Sequence, residues 1–265
     1  MSEGWYVYGV THAGADLAEA YTTFDGALPR PFLVVDGEIA AITGRVSLDE
    51  FDEARLPELL NDPAWLIPRA TAHQDVLERA LPAGSVVPLR FGTVYRDEAA
   101  VHAFLQRNAD ALTAVLARLS GRVEMGVKVF ADRNALAAAL RDVDPAVAEL
   151  EAETASAPEG RAYMLRRRSD QLLSDAVQRF EQECAAESHA ALTAVAEDAT
   201  ANPPQPPELA RSSGEMILNG AYLVQSAAAI GGVADELGQR YGGSGVTFDV
   251  TGPWPPYNFV PTEFA

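Results

Sequence analysis

The sequence predicts an α+β protein built as two units, and three observations carry that reading. Aromatic and β-branched, strand-type residues open the chain, and strand-type alternation appears directly after Gly121 and again near its end. Apolar residues at helical spacing fill most of the stretches between them. The second half runs in the order strand, long helical stretch, strand, helix, strand, which folds as helices packed on one antiparallel or mixed sheet. With 265 residues, the chain can bury the core of one large domain or of two ordinary ones.

In the first half, Trp5 to Val10 is aromatic and β-branched. Phe32 to Val35, then Asp36-Gly37, then Ile39 to Ile42 reads as a hairpin around an Asp-Gly turn. His73, Val76, Leu77, Ala80 and Leu81 fall at helical spacing, and Pro82 and Gly84 stop that helix. His73 lies on the apolar stripe, the place of a hydrogen-bonded structural histidine. A short run, Val86 to Leu89, follows. Asp97 can cap one further helix whose stripe is Val101, Phe104, Leu105, Leu112, Val115, Leu116 and Leu119, ended by Gly121.

In the second half, Val123, Met125, Val127 and Val129 alternate with Glu124, Gly126 and Lys128, the period of a strand with one buried face. Helical sequence starts near Arg133 and breaks near Pro145 and again at Pro158-Glu159-Gly160. From Arg161 a long helix carries Leu165, Leu172, Leu173, Val177, Phe180, Cys184, Ala191, Leu192 and Val195. The run Asn202 to Pro207 ends it as a loop. Met216, Leu218, Tyr222 and Val224 mark another strand. Ile230 to Tyr241 is a helix closed by Gly242-Gly243, and Val246, Phe248 and Val250 mark a last strand.

Charge and cysteine content exclude several function classes. Lys+Arg 20 against Asp+Glu 38 gives a net charge of -18, which repels nucleic acid and anionic lipid surfaces. Cys184 is the only cysteine, so an intramolecular disulfide and a thiolate cluster within one chain are excluded, and a reducing cytoplasm fits. MSEGWYVYGV lacks the pattern of a secretory leader, and no run approaches 18 apolar residues.

Nothing in the sequence forms a catalytic, cofactor or metal constellation. The Gly242-Gly243-Ser244-Gly245 loop opens a strand instead of a helix and reads as a turn, not a phosphate cradle. There is neither a G-x-S-x-G elbow nor a Walker lysine. His12, His73, His102 and His189 lack the close spacings of zinc motifs. The acidic run Asp49-Glu50-Phe51-Asp52-Glu53 reads as a solvated helical face. Arg166-Arg167-Arg168 is the one basic cluster; it either pairs with carboxylates of its own helix or docks an acidic partner.

Two stretches ask for more than folding. In Val87-Pro88-Leu89-Arg90-Phe91-Gly92-Thr93 an arginine stands between apolar residues, where it needs a carboxylate or carbonyl partner to offset desolvation. The closing Thr251-Gly252-Pro253-Trp254-Pro255-Pro256-Tyr257-Asn258-Phe259-Val260 crowds three prolines and three aromatics into ten positions. These two join Tyr6 to Val10, His73 to Leu77, Gly121 with Glu124 to Lys128, Gly160 to Leu165 and Leu218 to Val224 in an ordered series. Through that series the chain resembles the gas vesicle protein family GvpL/GvpF over nearly its whole length.

The resemblance implies an N-terminal α+β domain (1–121), then a ferredoxin-like domain (122–252) with a helical insertion at about 132–213. It also implies a C-terminal tail (253–265) that packs where the two domains meet. Rigid prolines lose little entropy on ordering, and Trp254, Tyr257 and Phe259 can bury large areas, so the tail is expected to act as a clasp. The functional implication is a non-enzymatic accessory protein of gas vesicle assembly, the vesicles being gas-filled shells of a small, very hydrophobic protein. Its partners would be that shell protein and other accessory vesicle proteins. The expected location is the cytoplasm, at the vesicles. Candidate contact residues are Arg90, Phe91, Arg166, Arg167, Arg168, Trp254, Tyr257 and Phe259. The competing reading is an enzyme or small-molecule binder that uses the cleft between the domains.

Overall fold

The computed structural model describes residues 3–51, 54–205 and 214–264. Helix and sheet are mixed, as the sequence predicts. The chain forms two compact units: Met1–Glu124 together with Pro253–Ala265, and Met125–Gly252.

The first unit is built on a sheet of order β2-β3-β1-β4, with β5 also paired to β1. The strands are β1 (Glu3–His12), β2 (Phe32–Asp36), β3 (Ile39–Ser47), β4 (Val86–Pro88) and β5 (Val94–Tyr95). The expected hairpin is present, with Asp36 opposite Ile39 across the two-residue turn Gly37-Glu38. Gly37 has φ +61°, the positive value that the first position of this turn requires. β1 is buried along almost its whole length because helices cover both faces of the sheet. One face takes α2 (Pro63–Ala80), preceded by the single turn α1 (Leu56–Leu59). The other takes α3 (Glu98–Arg107) and α4 (Ala109–Leu119).

Gly9 in β1 shows why the Tyr-Val-Tyr-Gly-Val stretch needs its glycine. A Cβ there would stand 2.7 Å from the Val87 carbonyl oxygen and 2.9 Å from Leu77 Cδ2. β4 and α2 therefore pack closely on β1 only where the side chain is missing. The register slips between Val7 and Gly9, a bulge that leaves Tyr8 without a partner on β3.

Two expectations for this unit are corrected. The stripe from Val101 to Leu119 belongs to two helices, parted at Asn108 (φ -110°, ψ 11°), whose side-chain amide donates to the Phe104 carbonyl at 2.8 Å. The seven-residue step from Leu105 to Leu112 keeps both helices in phase, so periodicity cannot reveal the break. The described part of the acidic run is not helical either: Asp49 and Glu50 lie in a turn, Phe51 is buried, and Arg69 Nε binds Glu50 at 2.9 Å. Asp52 and Glu53 lie outside the described residues.

The second unit has four strands in the order β7-β8-β6-β9: β6 (Val123–Ala131), β7 (Asp198–Ala201), β8 (Glu215–Val224) and β9 (Val246–Trp254). Its helices are α5 (Arg133–Val143), α6 (Pro145–Ser156), α7 (Glu159–Thr193) and α8 (Ala227–Tyr241). Asp132 and Asp144 cap α5 and α6 by accepting from the first free N–H groups. The bidentate pair from Arg133 to the buried Glu181, at 2.9 and 2.8 Å, ties α5 to the long α7. β7 is absent from the sequence reading because Asp198 to Ala201 is short and carries no alternation. Gly245, with φ +77°, ends the turn that follows α8. Of the expected proline loop, Pro206 and Pro207 lie outside the described residues.

Candidate functional site

A connected group of polar and aromatic side chains lies inside the first unit. β1 supplies Tyr6 and Tyr8, and the apolar stripe of α2 supplies His73 beside Val76, Leu77 and Ala80. The Leu89–Thr93 loop wraps the free end of this group. Leu89 N–H donates to the Tyr8 carbonyl at 3.0 Å, and Val7 N–H to the Thr93 carbonyl at 2.9 Å. Phe91 sets its ring edge-on to His73, Tyr6 and Trp65, with centroids 5.8, 6.2 and 6.1 Å apart. Gly92 N–H reaches the Tyr6 hydroxyl at 3.1 Å.

His73 joins two tyrosines, with Nδ1 2.8 Å from Tyr6 Oη and Nε2 3.1 Å from Tyr257 Oη. Gly92 already fills one acceptor position on Tyr6. We assign the tautomer in which Tyr6 O–H donates to Nδ1 and Nε2–H donates to Tyr257, which gives Tyr6 one donor and one acceptor role. Burial pushes the imidazole down to about 4, opposed only in part by a backbone hydrogen bond at Leu89. Burial likewise raises both tyrosine hydroxyls above their ordinary range. The histidine is thus a neutral structural bridge, as its place on the stripe implies.

The tail closes the group from outside. Asn258 donates to Glu124 from its backbone N–H at 3.1 Å and from Nδ2 at 2.6 Å. Arg118 Nη2 donates to the Phe259 carbonyl at 3.0 Å. Arg90 contributes twice, its N–H to the Phe264 carbonyl at 3.1 Å and its guanidinium to the Thr262 carbonyl at 2.5 Å. Phe259 and Phe264 are buried. Desolvation raises the Glu124 carboxyl to about 7, and the two Asn258 bonds hold it from going higher. A strand residue expected on the open face is therefore inside, because the tail supplies its donors.

Two further expectations are corrected. Arg90 has the carbonyl partner its surroundings call for, but its side chain is exposed, not desolvated. Trp254 is 36% exposed, so Phe259 and Phe264, with the half-buried Tyr257, carry the aromatic burial of the tail. Phe91 is half-buried in the aromatic group. Arg166, Arg167 and Arg168 lie on the exposed side of α7 in the second unit. Arg166 Nε donates to the Ala162 carbonyl at 3.3 Å, and none of the three ion-pairs with a carboxylate among the described residues. Tyr163 and Met164, 58% and 65% exposed, share that surface.

The sequence reading misses Tyr6, Glu124, Arg118 and Asn258 as members of this group. The conjunction of a strand glutamate with Asn258 in a proline-rich tail is the only signal they leave, and it spans 134 positions.

Chemically, the group holds a segment in place. Tyr6 is fully buried and His73 is 3% exposed, so neither meets solvent. Among the described residues, no three His, Cys, Asp or Glu side chains are placed to hold a metal ion, and no helix is long and apolar enough to cross a membrane.

This fold has solved counterparts among gas vesicle proteins. The crystal structure of GvpF from Anabaena sp. PCC7120 superposes with a TM-score of 0.69 at 20% identity, covering 98% of this chain and 97% of that one. That of GvpF from Microcystis aeruginosa gives 0.63 at 21% identity, with 97% and 98% covered. The sequence goes further than the fold. Residues 4–261 match the family described as "Gas vesicle synthesis protein GvpL/GvpF", and the chain belongs to that family. It is 35% identical to gas vesicle protein L of Streptomyces sp. (strain CB03234) over 96% of this chain and 92% of the relative. It is 30% identical to gas vesicle protein F of the same strain, over 96% and 98%.

Proposed function

We propose that this chain is a non-enzymatic accessory protein of gas vesicle assembly, acting in the cytoplasm by binding the apolar shell protein, other accessory vesicle proteins, or both. The observation that carries the reading is the family match over residues 4–261. Shielding is the physical role that fits: apolar shell subunits need cover before incorporation, and a carrier with a charge of -18 keeps the complex in solution. The exposed Tyr163 and Met164 beside Arg167 and Arg168 support α7 as a contact surface, because apolar area with unpaired positive charge suits an acidic, amphipathic partner. The strand-helix-strand-strand-helix-strand succession of the second unit, in the order β7-β8-β6-β9, supports the ferredoxin-like assignment with α5 to α7 as its expanded crossover.

Co-expression with the vesicle shell protein tests this reading. After lysis, the fraction of shell protein that stays soluble and co-purifies is measured with and without this chain. Specific co-purification is expected; a shell protein equally insoluble in both cases would remove the shielding role.

A further inference from the structure

Strand β2 is one edge of the first sheet, with β3 on its inner side. Its outer side keeps unused hydrogen-bonding groups. Across the two-residue turn, Asp36 and Ile39 face one another and exchange both backbone bonds. Alternation along the antiparallel ladder then turns the N–H and C=O of Val35 and Leu33 outward. No group among the described residues takes them up.

Exposed edges in soluble proteins are guarded by charge, proline or a covering element. Phe32-Leu33-Val34-Val35 carries neither charge nor proline, and Phe32 and Val35 are 37% and 49% exposed. Beside the strand opens a cavity of about 570 Å³. Leu17 and Tyr21 line it on one side, Phe32 and Leu33 on the other, and Asp16 and Arg30 are among its polar positions. A strand laid against β2 would put the residue opposite Leu33 on the same face as Leu33, and Leu33 lines this cavity.

We propose that the β2 edge receives an extended segment of a partner polypeptide as an added strand, with one apolar side chain of that segment seated between Leu17, Tyr21 and Leu33. The charge pattern selects the occupant. A second copy of this chain would bring another -18 to an approach where Asp16 and the exposed Glu38 stand against Arg30, the Asp36 carboxylate being held by His102 and Gln106. The fitting segment alternates apolar with basic residues and comes from a different protein. This inference goes beyond the vesicle-assembly reading and stands apart from it, since it specifies an edge and the chemistry of a strand.

The probe is a fluorescein-labelled, acetylated heptapeptide alternating lysine and valine, titrated onto the full chain by anisotropy, with amide exchange followed by NMR. Binding is expected to slow exchange at Leu33 and Val35 by at least about tenfold, the signature of strand addition. A charge at the exposed edge (Val35→Lys) or a filled cavity (Ala18→Trp) is expected to weaken binding about tenfold or more with unchanged melting curves. The same peptide with glutamate for lysine is expected to bind at least about tenfold more weakly. Peptide binding without protection at Leu33 and Val35, no binding, or an indifferent Val35→Lys variant would overturn the proposal. So would a concentration-dependent dimer that protects the same two amides, which would make a second copy the occupant. Because no vesicle protein takes part, failure here and failure of shell-protein co-purification are separate results.

Discussion

Asn258 grips Glu124 from both its main chain and its side chain, at 3.1 and 2.6 Å, so that a carboxyl buried in the first unit is served by a residue 134 positions later. Its cost is electrostatic. The carboxyl titrates at about 7 in the fold against an ordinary 4.5, so the folded state binds the proton more tightly. The stabilisation from that bound proton is complete below pH 4.5 and is lost as pH rises through 7. Replacing Glu124 by Gln removes this loss. Relative to the parent, the stability of Glu124→Gln should climb by roughly 3 kcal/mol between pH 4.5 and 7. Urea melts followed by tryptophan fluorescence read this directly, because Trp5, Trp65 and Trp254 all lie in the first unit. A flat difference would reject the buried-carboxyl account.

His73 produces the opposite slope. Its pKa falls from 6.5 to about 4, so its contribution is present above pH 6.5 and is lost as pH falls through 4. In the parent these two contributions nearly cancel between about pH 4.5 and 6.5. His73→Gln should unmask the glutamate. Its stability relative to the parent should drop by roughly 3 kcal/mol as pH rises from 4 to 6.5, by the same fluorescence melts.

Ending the chain at Gly252 would strip Tyr257 from His73, Asn258 from Glu124, and the carbonyls of Phe259 and Thr262 from Arg118 and Arg90. It would also remove Phe259 and Phe264, each 4% exposed, and open to water the apolar surface they cover. The lost burial of two large apolar side chains and the lost hydrogen bonds amount to about 5 kcal/mol or more, a drop of roughly 10 °C or greater in the tryptophan-detected melting temperature. An unchanged melting curve would show that the tail does not clasp this unit. Arg90→Ala should cost only about 1 kcal/mol, since the Arg90 N–H keeps its bond to Phe264 without the side chain.

Reversing charge at the outer face of α7 separates contact from folding. Arg167→Glu with Arg168→Glu should leave the melting temperature within about 2 °C, because neither arginine ion-pairs among the described residues. The same double variant should lose most of the shell protein that co-purifies with the parent. Equal recovery of shell protein from both would move the contact surface elsewhere.

Local chemistry was legible in the sequence and distant pairing was not. The hairpin at Gly37, the Asp97 cap and the strand after Gly121 each follow from neighbours within a few positions. Asn108 escaped because a seven-residue step preserves helical phase across a break. Glu124 escaped because alternation assigns a face, whereas its burial depends on donors arriving from Asn258. His73 could be read as a bridge from its apolar stripe, yet its two tyrosines could not be named, since they lie 67 residues before it and 184 after it. The exposed arginines of α7 were legible as a cluster, and their lack of carboxylate partners among the described residues only as geometry.

The division of the first unit into Met1–Glu124 and Pro253–Ala265 has a consequence for the order of synthesis. A ribosome makes the whole sheet of this unit, then every residue of the second unit, and only then Tyr257 and Asn258. Until those arrive, Glu124 and the Nε2 of His73 wait without their tail partners. The unit whose sheet is made before the second unit is finished only after it, and its completion reports that translation has passed the end of the second unit.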